Sequence, residues 1–333
     1  MRIAVLLALC AWACVQSSSA VAAADAPLRE IKRIVLPGVR GRIDHMAVDL
    51  AGKRLFVAAL GNNTAEVIDV DSGRIVQSIG GLQEPQGLLF VPEAEALFVA
   101  NGGSNALKIF RGKGFSSSTT LMLEDDNDNI RYDRQAQLAY VGTGGDPDSA
   151  LAIVDAHGRE VPGRIALSGH PESFQLERNA VRVFVNVPTA GVIEVADRIQ
   201  RKVVARWKVG GRANFAMALD DEHRRLFVVT RHPAKLWVLD TRDGRTVASL
   251  DTVGDADDVF YDEELRRIYV SGGEGHVAVV RQESADRYAA TARIQTRDGA
   301  RTAYFVPQWR MLFVALPAKP GAVAEIRVFE TVP

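Results

Sequence analysis

An apolar triplet with an aromatic residue at its centre returns seven times along this chain. The copies are Leu55-Phe56-Val57, Leu97-Phe98-Val99, Ala139-Tyr140-Val141, Val183-Phe184-Val185, Leu226-Phe227-Val228, Ile268-Tyr269-Val270 and Leu312-Phe313-Val314. Their aromatic residues are spaced by 42, 42, 44, 43, 42 and 44 positions. Self-similarity at such a period marks a solenoid, a propeller or an array.

Each unit reads as four short strands. In the first, Met46 to Val48, Leu55 to Ala59, Glu66 to Val70 and Ile75 to Ile79 are the apolar runs. Asp49 to Lys53, Gly61-Asn62-Asn63 and Asp71-Ser72-Gly73 are the turn-rich links between them. The fifth unit repeats the plan with Met217 to Leu219, Leu226 to Thr230, Leu236 to Asp240 and Thr246 to Leu250. No segment holds a helical period. Four antiparallel strands every 43 or so residues describe a propeller blade, so the expectation is an all-β, seven-bladed β-propeller. The last unit supplies three strands, ending with Ile326 to Phe329, before the chain stops. The run Ile31 to Leu36 is the candidate for its fourth strand, which would close the ring and remove two exposed sheet edges.

The first residues read as a targeting segment. Arg2 precedes an apolar run from Ile3 to Val15, and a small-residue stretch ends in Ala22-Ala23-Ala24. The run is too short to span a bilayer comfortably. Cleavage after Ala24 would divide the chain into a signal peptide, 1–24, and one propeller domain, 25–333. Both cysteines, Cys10 and Cys14, fall in the leader, and Ala11-Trp12-Ala13 lacks the pattern of a lipidation site. The mature chain would be cysteine-free, exported to the periplasm or beyond, and without a transmembrane segment. It would carry 39 basic against 41 acidic residues. That balance argues against nucleic acid as a partner. A monomer that binds a small polar ligand or an envelope protein is the expectation.

Two segments carry a family resemblance. Val67-Ile68-Asp69-Val70-Asp71-Ser72-Gly73-Arg74-Ile75-Val76 and Val238-Leu239-Asp240-Thr241-Arg242-Asp243-Gly244-Arg245-Thr246-Val247 are similar to the blade signature of YVTN-type, YncE-like β-propellers. Leu97-Phe98-Val99-Ala100-Asn101 resembles it too. Over nearly the whole mature chain, the resemblance implies an exported, often periplasmic propeller. It implies no particular activity, since many relatives have none assigned.

Propeller topology puts the links into the innermost strands, and those between the second and third strands, on one face around the central channel. Aligned at the innermost strands, the units carry Asp44-His45, Gln86-Gly87, Asp128-Asn129, Glu172-Ser173, Phe215-Ala216, Asp257-Asp258 and Arg301-Thr302. Five carboxylates, Asp44, Asp128, Glu172, Asp257 and Asp258, then face a single Arg301, with His45 among them and His170 just upstream. Like charges in a ring call for a cation, protons or donors to compensate them. The expected cation ligands are Asp44, Asp128, Glu172 and Asp257, with Asn129 and Asp258 as further ligand contacts. Oxygen-rich sites suit calcium, magnesium or manganese, and added histidines admit zinc or iron. Asp and Asn also favour turns for purely local reasons. Asp126 and Asn127, and Asp69, Asp155 and Asp240 at the ends of third strands, read that way.

Two function classes remain open from sequence. One is a non-catalytic binding protein with an acidic channel mouth. The other is a metal-assisted lactonase, lyase or related hydrolase, in which the cation polarises a carbonyl or acidifies water. There His45 or His170 would move the proton and Arg301 would hold a substrate carboxylate. A protein-interaction scaffold is a third use of the same fold. No Gly-x-Ser-x-Gly elbow and no cysteine nucleophile supports another chemistry, and Gly102-Gly103, Gly144-Gly145 and Gly272 to His276 read as tight loops.

Overall fold

The computed structural model describes residues 26–145 and 147–333. The expected leader, 1–24, lies outside the described residues. The rest forms seven four-stranded antiparallel sheets, with helix limited to single 3-10 turns. Blade 1 contains Met46–Asp49, Arg54–Ala59, Thr64–Asp69 and Arg74–Ile79, hydrogen-bonded in that order. Blades 2 to 6 repeat the order over 85–122, 130–166, 174–208, 212–251 and 256–295. Blade 7 takes Ala303–Val306, Met311–Leu316 and Ala324–Thr331 from the end of the chain. Its outer strand is Leu28–Leu36, antiparallel to Ala324–Thr331 with Leu28 opposite Thr331 and Leu36 opposite Ala324. Closure by the N-terminal strand therefore holds, with the strand three residues longer than the sequence run from Ile31.

The triplets explain why the sheets form a ring. Side chains on a strand alternate between faces, so each triplet sends two residues one way and one the other. Leu97 and Val99 of blade 2 join the cluster that contains Phe56 of blade 1, while Phe98 points into the cluster shared with Ala139 and Val141 of blade 3. The same division recurs at every junction. It ends with Phe313 of blade 7 beside Leu55 and Val57 of blade 1, together with Ile34 and Leu36 of the closing strand. The core is thus seven similar layers between blades. Each central aromatic is at most 2% exposed, and burying one such side chain contributes roughly 1.5–3 kcal/mol.

The turns on the outer part of each blade follow local chemistry. Asp69 accepts a hydrogen bond from the Ser72 amide at 2.7 Å, and the Gly73 amide donates to the Asp69 carbonyl at 2.8 Å. Gly73 needs its missing side chain there, because its φ is +67°. Asp155 and Asp240 hold their turns in the same manner, with amides of Arg159 and Arg242 as donors. These three aspartates are turn residues, as their sequence positions suggest.

Candidate functional site at the channel mouth

The innermost strands line a central channel, and in six of the seven blades a bulge at the start of the strand sets what faces its mouth. In blade 1 the Asp44 amide donates to the Ala58 carbonyl at 2.8 Å, while the Ala58 amide donates to the His45 carbonyl at 3.0 Å. Two residues thus oppose one, which is the definition of a bulge and re-aims a side chain. Asp128 and Asn129 oppose Gly142 in the same way, and Glu172 and Ser173 oppose Asn186. The register shifts of blades 2, 5 and 6 fall at the equivalent place, leaving Phe215 and Asp257 as extra residues. In five lead-ins the residue two places before the aligned mouth position is left-handed: Glu84, Asp126, Ala213, Asp255 and Gly299. The backbone device repeats, and the side chains it presents do not.

His45 crosses the channel. Its Nε2 lies 3.6 Å from Asp44 Oδ1 and 3.4 Å from Asp128 Oδ1 of blade 3, and its Nδ1 lies 3.9 Å from Asp258 Oδ1 of blade 6. Burial works against a charge on the ring. The Asp128 carboxylate 3.4 Å away, with those of Asp44 and Asp258, outweighs it and pushes the imidazole up to about 10. Burial likewise pushes Asp44 up to about 6, with Asp128 adding to it and His45 and Arg42 opposing. Asp128 is buried too, yet the close contact with His45 and the charges of His45, His170 and Arg42 hold it below the ordinary carboxylate range. Asp258 is pushed up to about 6, chiefly by burial, although it accepts the Ala303 amide at 2.9 Å. Glu172 has no ion-pair partner among the described residues. Burial, then the charges of Asp128 and Asp257, push it up to about 8.

The expected residues divide into two groups. One ligand atom each from Asp44, His45 and Asp128 falls within 4.8 Å of the others, a set of one nitrogen and two oxygens suited to a cation. Asp257 is engaged elsewhere, clamped between Arg231 and Arg301, whose Nε is 2.8 Å away. Arg301 also reaches Asp255 at 3.3 Å. His170 stands at the rim, with Nδ1 2.9 Å from the Gly144 carbonyl and 3.8 Å from Asp126. Asn129 is buried with its Oδ1 unpartnered.

Sequence alignment of the blades missed two arginines. The expectation of five carboxylates facing one cation needs correcting, since Arg42 and Arg231 also serve the mouth. Arg42 Nη2 approaches Asp44 Oδ2 to 2.7 Å, although its N–H groups are not aligned for a hydrogen bond. Arg231 packs over the Phe215 ring at 4.0 Å while binding Asp257. Both sit off the aligned column, one two residues before Asp44 and the other at the end of a second strand. Their position on the channel-mouth face was the available signal.

Known proteins add the fold and little else. No protein-family model matches the chain, and no curated protein matches it. A chain in the crystal structure of a mitotic checkpoint complex is similar over 100% of this chain and 99% of its own, with a TM-score of 0.77 and 12% identity. At that identity the likeness establishes the seven-bladed architecture alone.

Proposed function

We propose that the chain is an exported, YncE-like propeller whose channel mouth binds a divalent cation, or the cationic group of a small polar ligand, through Asp44, His45 and Asp128. The observation that carries the reading is the convergence of one imidazole nitrogen and two buried carboxylate oxygens within 4.8 Å. A bound cation would take the place of a proton on Nε2. Asp258 then stands beside Nδ1, as the outer carboxylate of a carboxylate–histidine–cation relay. The mixed donor set favours manganese or zinc over calcium and magnesium, which prefer more oxygens.

In the cation-free chain His45 is poorly matched to a general base's task. A general base works best with a pKa near the operating pH, and this imidazole is pushed to about 10 by the carboxylates around it. Export rests on the apolar run from Ile3 and the Ala22 to Ala24 end; a mature N-terminus at Asp25 in an envelope fraction is the expected result.

The cation reading is tested by thermal unfolding after chelator treatment, with calcium, magnesium, manganese and zinc added in turn. Stabilisation grows as RT ln(1 + [L]/Kd), about 2.7 kcal/mol at a hundredfold excess over Kd. Manganese or zinc should raise the midpoint of the native chain and leave Asp128→Asn unmoved. A native chain indifferent to all four would remove the cation from the proposal.

A further inference from the structure

Beneath the His45 plug lies a cavity of about 380 Å³ within the channel. Its roof includes His45 and Asp258, and Val48, Leu89, Phe260 and Tyr304 form much of its wall. Gln175 and Arg131 bring polar groups into it. The volume is roughly two and a half times that of an apolar cavity able to hold benzene. A second cavity of about 560 Å³ continues it toward the opposite face. The two share Val48, Leu89, Phe90, Tyr132, Tyr304 and Phe305. The channel interior is therefore reached from the face away from the mouth, past a largely apolar collar.

Arg131 is the unusual group in this space. Its guanidinium has five donors. One bonds the Ile130 carbonyl at 2.9 Å and one the Ser173 hydroxyl at 3.3 Å. It stacks on Phe174, 5.5 Å from the ring centroid. Among the described residues no carboxylate lies within ion-pair distance of it, whereas the arginines of the mouth, Arg42, Arg231 and Arg301, all have one. Asp258 in the roof and Asp128 beyond it attract this guanidinium from a distance, but neither pairs with it; its spare donors are matched chemically by a carboxylate, which a guanidinium binds in a forked pair. Phe260 and Tyr304, with ring centroids 6.1 Å apart at 69°, and the aliphatic Val48 and Leu89 match a flat apolar body.

We infer that the lower channel is a second binding site, distinct from the mouth, for a small monocarboxylate carried on a flat apolar or aromatic body, with Arg131 as its anion anchor. The carboxylate meets Arg131 under the plug, and the apolar body extends toward the collar. Such an occupant would satisfy the spare donors and fill space that polar solvent fills poorly.

Isothermal titration of the full mature chain with cinnamate and with its neutral isostere cinnamamide tests this. Cinnamate should bind, and cinnamamide should bind roughly tenfold to a hundredfold more weakly, the span expected for losing a charge-assisted pair. Arg131→Met should weaken cinnamate to the level of the amide while keeping the manganese or zinc response of the mouth. Leu89→Trp fills the channel without touching a charge and should abolish cinnamate binding, which decides the matter if Arg131→Met fails to fold. Absence of cinnamate binding, equal affinity for acid and amide, or unchanged binding in either folded variant would overturn the site. None of these outcomes bears on the cation at the mouth.

Discussion

The layers between blades and the mouth of the channel are built from the same seven repeats and come out opposite in character. At the junctions the solution is the same each time: an aromatic side chain of one blade against an aliphatic pair of the next. At the mouth the aligned positions hold Asp44, Gln86, Asp128, Glu172, Phe215, Asp257 and Arg301: four carboxylates, an amide, an aromatic ring and a guanidinium. The backbone treats both regions alike. Packing demands sameness, because each blade must fit its neighbours, whereas a channel mouth has one centre that seven different side chains can address together. In a repeat protein, departures from the repeat point to chemistry, and adherence to it points to architecture.

The largest effect should come from breaking the ring. Deleting residues 28–36 removes Leu28, Ile34 and Leu36, all buried in the layers flanking blade 7. Each such loss costs about 2–5 kcal/mol, so the deletion should abolish a cooperative urea transition or promote association through the exposed edge. Unfolding identical to the intact chain would mean that the closing strand is dispensable.

Equivalence of the layers is the next expectation. Phe98→Ala and Phe227→Ala lie in different junctions, and each should lower stability by about 3–5 kcal/mol. Closely matching losses in denaturant melts support seven alike layers. One near-neutral substitution would show that the repeat conceals unequal junctions.

The mouth should report itself through pH. Glu172 is pushed up from 4.5 to about 8, so the folded chain holds its proton more tightly than the unfolded one. That contribution to stability is complete below about pH 4.5 and is lost as pH rises through 8. His45, pushed from 6.5 to about 10, extends the decline further up the scale. Stability should therefore fall from pH 5 to pH 9, and Glu172→Gln should reduce that fall by on the order of 1–3 kcal/mol. A flat native profile over that range would contradict the crowding of carboxylates.

What could be read beforehand follows the same division. The triplets, the Asp69, Asp155 and Asp240 turns and the closing strand were legible because each depends on local spacing or on a period. The Asp44–His45–Asp128 cluster was legible in part, since alignment put all three at the mouth. Alignment fixes where a backbone sits, not how far a side chain reaches. Arg42 and Arg231 therefore escaped it, arriving from outside the column on long side chains. Asp257 was drawn away from the cation set by Arg231 and Arg301 for the same reason. Arg131 lies inside an innermost strand, Ile130–Asp133, where sequence gives no sign that the space before it is open.

Calorimetric titration of manganese or zinc into the mature chain at pH 7, in two buffers of different ionisation enthalpy, tests the central claim most directly. The carboxylates around His45, one of the three ligands, push its imidazole up to about 10, so the cation-free ring is expected to carry a proton at pH 7. A cation that takes the place of that proton must release it, so the observed heat should differ between the buffers by an amount that reports net release. Saturable binding with proton release, lost in Asp128→Asn, is the predicted result. Absence of a saturable heat, or binding with equal heats in both buffers, would contradict a cation site at the channel mouth.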